Sequence, residues 1–313
     1  MFSRFIRLQT PSIYLNYQGR SRPSIADLFR WRYKELFDLP CVSPVLNNTS
    51  SSTIIGAYTL ANTGFINDYQ FINVPEFEGK GETTPFPFFY QNLAEAEYIV
   101  ATYMFMCLLG YNPKSITILT TYNGQKYLIK DIIQQKCSWH PLFQTPHKIT
   151  TVDKYQGQQN DFVLLSLVRS RHIGHIRDIR RLIVAMSRAR LGLYVFGRFE
   201  VYDNCYELRN TMNLFKQKSL NLEILLNDSY PTKRHIGDKQ TGIKVQDFTH
   251  MYKIVQEIIK IQQTLKIQTN ISKQKELNEK LAKQEKEKED KVVDKVEEIE
   301  DNGHIEKNDE KMM

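Results

Sequence analysis

Short apolar runs alternate with segments of helical spacing between residues 71 and 197 of this 313-residue chain, and this alternation constrains the fold most. The apolar runs predict strands buried on both faces, because a strand with one wet face alternates polar and apolar residues. The pattern predicts strands at 71–74, 116–119, 149–152, 162–168 and 192–196, and helices at 93–109, 123–137 and 178–190. Such alternation is typical of a parallel sheet with helices on both faces, so we predict the α/β class.

Charge divides the chain into a basic body and an acidic tail. The whole chain carries +7, but residues 271–313 hold 10 Lys and 14 Asp plus Glu, so they contribute −4 and residues 1–270 carry +11. A basic body suits a polyanion, because cationic side chains gain affinity by releasing phosphate counterions. A solvated basic surface without a partner explains the charge equally well. The tail has few large apolar residues, which predicts an isolated charged helix or disorder.

Several other protein classes have no support in this sequence. The four cysteines are widely spaced without a C-x-x-C pair, which predicts free thiols in a reducing compartment. The longest apolar run, residues 99–111, is shorter than the roughly 20 residues of a membrane span, so no transmembrane segment is expected. His172 and His175 have no Cys or Glu at ligand spacing, and we predict no metal site.

A polar segment at residues 150–161 joins two predicted strands and is the first candidate site. It places hydroxyl, amide and exposed backbone N–H groups around Gly157 at a sheet edge, and such groups suit phosphate or ribose. An ordinary turn with internally satisfied side chains has the same pattern. Ligands of α/β sheets gather beyond the carboxyl ends of the strands, so we expect the site there.

Arginines mark the predicted helix at 178–190 as a second candidate. At 100° per residue, Arg177, Arg181 and Arg188 fall on one narrow stripe, opposite the apolar side of the helix. We therefore expect an anchored apolar face and outward guanidinium groups. Guanidinium forks suit phosphate, whereas pairing with nearby Asp or Glu is the alternative.

A third candidate follows the predicted strand at 116–119 directly. Tyr122 could stack on a base, and Thr121 or Gln125 could bind a nucleic-acid backbone. The alternative is a helix N-terminus capped by Thr121 or Asn123, and both interpretations can hold together.

The sequence has no G-x-x-x-x-G-K-[ST] phosphate loop, since its only Gly-Lys pair is Gly79-Lys80. It also has no Asp-Glu pair at a predicted strand end that would hold magnesium. We therefore expect this chain not to hydrolyse a nucleotide by itself.

The order of these segments resembles the second RecA-like domain of superfamily-one RNA helicases, the group that includes the nonsense-decay helicase and senataxin. The resemblance covers roughly residues 3 to 260 and is strongest to the intron-binding spliceosomal branch. Its motifs correspond to Gln18-Gly19-Arg20, residues 121–125, residues 151–161 and residues 184–190. It implies a RecA-like sheet followed by the charged tail.

By this resemblance, ATP lies between two RecA-like domains, and the absent first domain supplies most of the ATP site and the magnesium. Arg20 and Arg188 would reach the γ-phosphate, with Arg188 as the arginine finger. The implied nucleotide-side residues are Gln18, Gln156, Gly157, Gln159 and Arg190. The implied RNA-binding residues are Thr121, Tyr122, Gln125 and Thr151.

Two positions depart from the wider family. Gly19 stands where many relatives have a tyrosine thought to stack on adenine, which puts base recognition by this half in doubt. Gln159 replaces a usual glutamate that bonds the ribose, so the contact would lack charge.

These observations predict a second RecA-like domain at 1–230, a helical extension at 231–270 and a charged tail at 271–313. The implied function is the carboxy-terminal motor half of an ATP-dependent nuclear RNA helicase that binds introns in pre-mRNA splicing among spliceosome proteins. We expect a truncated gene model to explain the missing first domain; the alternatives are a fragment and a free-standing half. The alternatives are a non-catalytic RNA-binding or scaffold module, and a helicase of RNA decay or transcription termination.

Overall fold

The computed structural model describes residues 2–43, 57–76, 81–275, 278 and 280. Its strands are β1 (Tyr17–Gln18), β2 (Phe37–Asp38), β3 (Tyr69–Asn73), β4 (Ile116–Thr120), β5 (Lys148–Thr151), β6 (Asn160–Ser166), β7 (Ala189–Gly197), β8 (Leu222–Ile224) and β9 (Ile243–Val245). Its helices are α1 (Phe2–Arg7), α2 (Pro23–Arg30), α3 (Leu93–Leu108), α4 (Asn123–Cys137), α5 (Ile179–Met186), α6 (Phe199–Asp203) and α7 (Arg209–Lys216). Residues 248–275 are also helical.

Five strands form the central sheet in the order β3-β7-β6-β4-β5, and all neighbours are parallel. Thr120 pairs with Thr151 on one side and Ser166 on the other, so three strands end at one level. Apart from Asn160 and Asp161, the residues of β4 and β6 are buried, as their continuous apolar runs predict. The predicted α/β, RecA-like fold is confirmed.

Helices cover both faces of this sheet. On one face Phe71 packs edge-on against Phe199 of α6 and Phe215 of α7, at ring-centroid distances of 5.2 and 5.6 Å. Phe71 pairs with Val195 across the strands, so the next residue of β7, Phe196, points to the opposite face. There Phe196 meets Tyr98 of α3 at 5.3 Å.

The helix at 93–109 and the helix at 123–137 lie where the sequence predicts them. Asn92 begins α3 by accepting a hydrogen bond on its side chain from the Glu95 amide at 3.2 Å. Gly110 follows its end with φ +99°, a conformation that glycine adopts without strain.

The helix predicted at 178–190 is shorter, because α5 ends at Met186. Asp178 caps its start, with a side-chain oxygen 3.0 Å from the Arg180 amide. At the other end, Arg188 Nε donates to the Val184 carbonyl at 2.9 Å. A continuing helix would need that carbonyl for the backbone amide of residue 188, so this bond helps to release the chain into β7.

The helical extension predicted at 231–270 is wrong in its first half. Residues 231–247 include β9, which pairs antiparallel with β8, and the helix begins only at residue 248. Glycines at 237 and 242 interrupt any helical pattern before that point. The chain divides into compact units at Met1–Val255 and Gln256–Met313, and in the second unit residues 256–275 are helical.

Most of the predicted charged tail, including residues 281–313, lies outside the described residues. Among the described residues, no helix has the length and apolar character needed to cross a membrane.

Candidate functional site

The candidate residues lie at two opposite ends of the central sheet. Asn160 and Ala189 begin β6 and β7, and the Asn160 amide donates to the Arg188 carbonyl at 3.1 Å. Arg188 therefore lies at the amino end of the strands. Part of the polar segment at 150–161 lies where it is expected, because Thr151 ends β5 at the carboxyl end, where the Thr121 amide donates to the Ser166 carbonyl. The rest corrects the expectation, because Asn160 begins β6 beside Arg188 at the amino end.

At the amino end, three distant parts of the sequence meet. Arg20 Nε donates to Gln159 Oε1, and Arg20 Nη1 donates to the Ser187 carbonyl at 3.0 Å. Arg188 follows directly along the chain. The sheet register makes this meeting possible, because it starts β6 and β7 side by side.

Arg188 is the central group of this cluster, with a buried side chain that has no carboxylate partner among the residues that the structure describes. It donates to the Val184 carbonyl at 2.9 Å, the Gln158 carbonyl at 3.0 Å and Ser187 Oγ at 2.8 Å. The nearby ion pairs among the described residues belong to other arginines. Burial, followed by the charge of Arg20, lowers the pKa of Arg188 to about 10. A desolvated cation held only by neutral acceptors is suited to an anion.

The predicted outward stripe of three arginines is wrong. Arg177 pairs with Glu207 at 2.9 Å, and Arg181 pairs with Asp153 at 3.2 Å. These two arginines follow the alternative of pairing with nearby carboxylates. Arg188 leaves the stripe because α5 ends before it, and it is only 7% exposed.

Gln18 shapes the turn that carries Arg20. Its Oε1 accepts the backbone amides of Arg20 and Ser21 at 3.0 Å each, and its Nε2 donates to the Ser21 carbonyl at 2.8 Å. These three bonds lie inside the turn, and Gln18 Nε2 also donates to Asp38 Oδ1 at 2.5 Å, so Gln18 positions Arg20 and ties the turn to β2.

Arg190 supports the same turn from β7. It forms an ion pair with Asp161 at 2.9 Å, and its Nε donates to the Tyr58 hydroxyl at 3.3 Å. Tyr58 in turn donates to the Arg20 carbonyl at 2.6 Å. Arg190 therefore holds the backbone of Arg20, and its charge is already balanced.

Gln156 and Gly157 form an exposed turn beside this cluster. Gly157 has φ +81°, a conformation that favours glycine. A Cβ at this position would lie more than 4 Å from every described residue other than its chain neighbours, so lack of space is not the reason for the glycine. The turn is anchored by buried Tyr155, whose hydroxyl lies 3.2 Å from Thr117 Oγ1. It leads to Gln158, whose carbonyl accepts from Arg188.

At the carboxyl end, the predicted RNA-binding residues differ in exposure. Thr121 is half-buried, and its Oγ1 donates to the Leu167 carbonyl at 2.9 Å. Thr151 is buried at the end of β5. Tyr122 is also buried, with its ring 5.0 Å from Tyr90 and 5.1 Å from His175. The predicted stacking of Tyr122 on a base conflicts with this packing.

Gln125 is fully buried beneath these residues. Its Oε1 accepts the Asn92 amide at 2.7 Å, and its Nε2 donates to the Asn92 carbonyl at 2.9 Å and to Ser166 Oγ at 3.1 Å. The predicted direct RNA contact conflicts with this burial, and Gln125 instead ties α4 to α3 and β6. The predicted cap by Thr121 or Asn123 is also absent, because Tyr122 holds the cap position without a side-chain bond.

Sequence reasoning missed Glu95, which lies in the same buried network. Its carboxylate accepts hydrogen bonds from Ser166 Oγ at 2.6 Å and from the Val168 amide at 2.8 Å. Burial raises the pKa of Glu95 to about 8. Val168 has φ +74°, which is unusual for a β-branched residue. The Asn-x-x-Glu pattern at 92–95 was an available sequence signal, since it resembles a capping box.

The family described as "AAA domain" matches residues 1–200 of the chain. The chain belongs to this family, within the superfamily-one helicases. It is 50% identical over 239 residues to "RNA helicase aquarius" of Mus musculus. The matched region covers 76% of this chain and 16% of the mouse protein. The resemblance to superfamily-one helicases, and to Aquarius among them, is confirmed.

Two further relatives come from fungi and insects. "Pre-mRNA-splicing factor cwf11" of Schizosaccharomyces pombe is 30% identical over 261 residues, covering 83% of this chain and 20% of the relative. "Regulator of nonsense transcripts 1 homolog" of Drosophila melanogaster is 32% identical over 122 residues, covering 38% of this chain and 10% of the relative. This helicase-family chain thus spans a fifth or less of the length of these relatives.

Proposed function

We propose that this chain is the second RecA-like half of an ATP-dependent RNA helicase that acts in pre-mRNA splicing in the nucleus. The observation that carries the proposal is Arg188 next to Arg20, a buried guanidinium for which the described part of the chain holds no carboxylate partner. Two adjacent cations at one sheet end form a site for an anion with several oxygens, such as a triphosphate. Membership of the helicase family supports ATP-dependent helicase activity as the reaction.

In this proposal, ATP lies against the amino end of the sheet and is held mainly by a first RecA-like domain. Arg188 and Arg20 stabilise the charge that develops on the transferred γ-phosphoryl group. Gln156, Gly157 and Gln159 supply neutral polar groups beside them. The first RecA-like domain also supplies the magnesium in this proposal.

RNA lies at the carboxyl end in the same proposal. The backbone passes the half-buried Thr121 and approaches the end of β5 near Thr151. The basic body of the chain favours such a polyanion. The names of the mouse and fission-yeast relatives support RNA, intron-containing pre-mRNA and spliceosome proteins as partners.

RNA-stimulated ATP hydrolysis by the chain joined to a first RecA-like domain tests the proposal. Arg188→Ala should lower the rate by about 10³-fold or more, because an arginine finger contributes ~10³–10⁵ in rate. Arg181→Ala is the matched control, since this arginine is exposed and already paired with Asp153. An unchanged rate for Arg188→Ala would contradict the assigned role.

The same measurement separates the motor from a non-catalytic RNA-binding module. A joined protein that binds RNA and never hydrolyses ATP would support the module.

A further inference from the structure

A loop of residues 83–91, hereafter the aromatic loop, lies near the carboxyl end of the sheet and has no assigned role. Its sequence is Thr-Thr-Pro-Phe-Pro-Phe-Phe-Tyr-Gln. Thr83 and Gln91 close it through two backbone hydrogen bonds, of 2.7 and 2.9 Å. The Phe89 amide donates to the Phe86 carbonyl at 3.0 Å, and the two prolines of the loop restrict its backbone. The loop is therefore preorganised.

Two phenyl rings of this loop project into solvent. The side chains of Phe86 and Phe88 are 69% and 87% exposed. Phe88 also has φ +62°, a conformation that costs energy for a bulky residue. A strained backbone that exposes an aromatic ring, instead of burying it, indicates a ligand contact.

The aromatic loop packs on the start of α4, immediately after Thr121 and Tyr122. Gln91 Nε2 donates to the Gly124 carbonyl at 3.2 Å. A Cβ on Gly124 would lie 2.6 Å from the Tyr90 carbonyl oxygen, so glycine permits this close approach. The aromatic loop thus lies beside the start of α4, next in the chain to Thr121, along which the proposed RNA backbone passes.

The surroundings of the aromatic loop combine aromatic faces with cations. Phe89 lies nearly parallel to Tyr127 of α4, with 12° between the planes and 6.3 Å between centroids. Lys126 Nζ lies 4.1 Å from the Tyr127 ring centroid, and Lys130 is exposed one turn further on. The loop itself carries no charged residue. Aromatic rings beside lysines are typical of single-strand nucleic-acid binding.

We propose that Phe86 and Phe88 form a stacking platform for unpaired bases of single-stranded RNA. This proposal rests on the proposed function and extends its RNA path beyond Thr121. Stacking tolerates any base because every base has a π-face, so the platform binds RNA without sequence specificity. The phosphates lie on the side of Lys126. A protein partner is the competing occupant, but lysines and threonine hydroxyls interrupt the apolar surface that it would need.

Binding of the full chain to a fluorescent single-stranded RNA tests the platform by anisotropy. Phe88→Ala and Phe86→Ala should each weaken binding about 5- to 150-fold, which corresponds to the loss of one stacked base. Phe88→Tyr should retain affinity, whereas Phe88→Leu should lose it, because leucine is apolar without a π-face. Phe88→Gly relieves the backbone strain and should lose affinity while remaining folded.

The salt dependence and an abasic RNA make the test specific. Phe88→Ala should keep the wild-type slope of affinity against salt, whereas Lys126→Ala should reduce it by about one unit. RNA lacking bases should bind wild type and Phe88→Ala equally. Trp139→Ala, a 57% exposed aromatic at the far end of α4, is the control and should bind normally.

The outcomes separate this proposal from the proposed function. Wild-type RNA binding that Phe86→Ala and Phe88→Ala leave unchanged would overturn the platform alone. Full binding by Phe88→Leu would overturn stacking and favour apolar packing against a protein. No RNA binding by the wild-type chain would overturn the RNA path itself.

Discussion

Arg188 shows how one residue can be suited to function at a cost to the fold. Its guanidinium is buried next to Arg20, and its acceptors within the described ranges are neutral. Taking a cation out of water without a counterion is unfavourable, and a protein tolerates this where a ligand supplies the missing charge. The neighbouring Arg190 differs, because Asp161 already balances it.

An anion should therefore stabilise this chain through Arg188. Inorganic phosphate at ten times its Kd should raise the unfolding free energy by about 1.4 kcal/mol and the melting temperature by roughly 3–5 °C. Arg188→Met and Arg20→Met should each remove most of this shift, because both cations face the ligand. Thermal melts with and without phosphate measure it. Arg181→Met is the control, and an equal shift in all variants would refute a site at Arg188.

Glu95 should make stability depend on pH. Its pKa rises from an ordinary 4.5 to about 8 through burial, so between these values the folded chain holds a proton that the unfolded chain releases. Glu95 thus makes its full contribution to the unfolding free energy below pH 4.5. This contribution falls as the pH rises to about 8 and no longer changes at higher pH. Denaturant melts from pH 5 to 9 should show this fall in wild type, and Glu95→Gln should reduce it. If wild type and Glu95→Gln showed the same dependence of stability on pH, the raised pKa of Glu95 would be contradicted.

At the scale of elements, the aromatic loop, α3 and α4 form one unit around buried polar groups. Asn92 and Gln125 exchange two hydrogen bonds across 33 residues of sequence, and Gln125 also reaches Ser166 of β6. Gly124 lets the aromatic loop approach α4 closely. The surface of the carboxyl end therefore depends on how these elements pack together.

Gly124→Ala tests that dependence. The new Cβ would press on the Tyr90 carbonyl at 2.6 Å and on Phe89 Cδ1 at 3.0 Å, so the aromatic loop must shift. We expect a loss of about 1–3 kcal/mol in unfolding free energy, as for other overpacked sites, and weaker RNA binding. Denaturant melts and anisotropy measure the two effects. Asn123→Ala, at the adjacent exposed position, should change both far less; equal effects would discount the close contact.

The sequence predicts the elements better than the site. The helix at 123–137 is correct because its apolar spacing and flanking strand act locally. The end of α5 is missed because a side-chain bond from Arg188 decides it. The burial of Tyr122 and Gln125 is also missed, since the residues that contact them are distant in sequence. They are Tyr90 and His175 for Tyr122, and Asn92 and Ser166 for Gln125. Through-space packing of this kind leaves no periodic signal in a single sequence.

At the scale of the whole molecule, the sheet separates the proposed anion site from the proposed nucleic-acid surface. The segment from Thr151 to Gln159 joins the two, because it leaves the carboxyl end of β5 and enters β6 at the amino end. Its middle is fixed by Tyr155, which is fully buried. This segment therefore connects the two ends of the sheet covalently, and Gln156 and Gly157 lie in the connection.

The separation predicts that RNA binding and ATP hydrolysis can be divided experimentally. The 313-residue chain alone should bind single-stranded RNA with an affinity that falls as salt rises, since cationic side chains carry much of the binding. In the proposed motor, ATP is held mainly by a first RecA-like domain, so the chain alone should not hydrolyse ATP. Joining a first RecA-like domain should restore hydrolysis in wild type and not in Arg188→Ala, while both bind RNA alike. Parallel anisotropy and phosphate-release assays decide it, and RNA-stimulated hydrolysis by the chain alone would contradict the division.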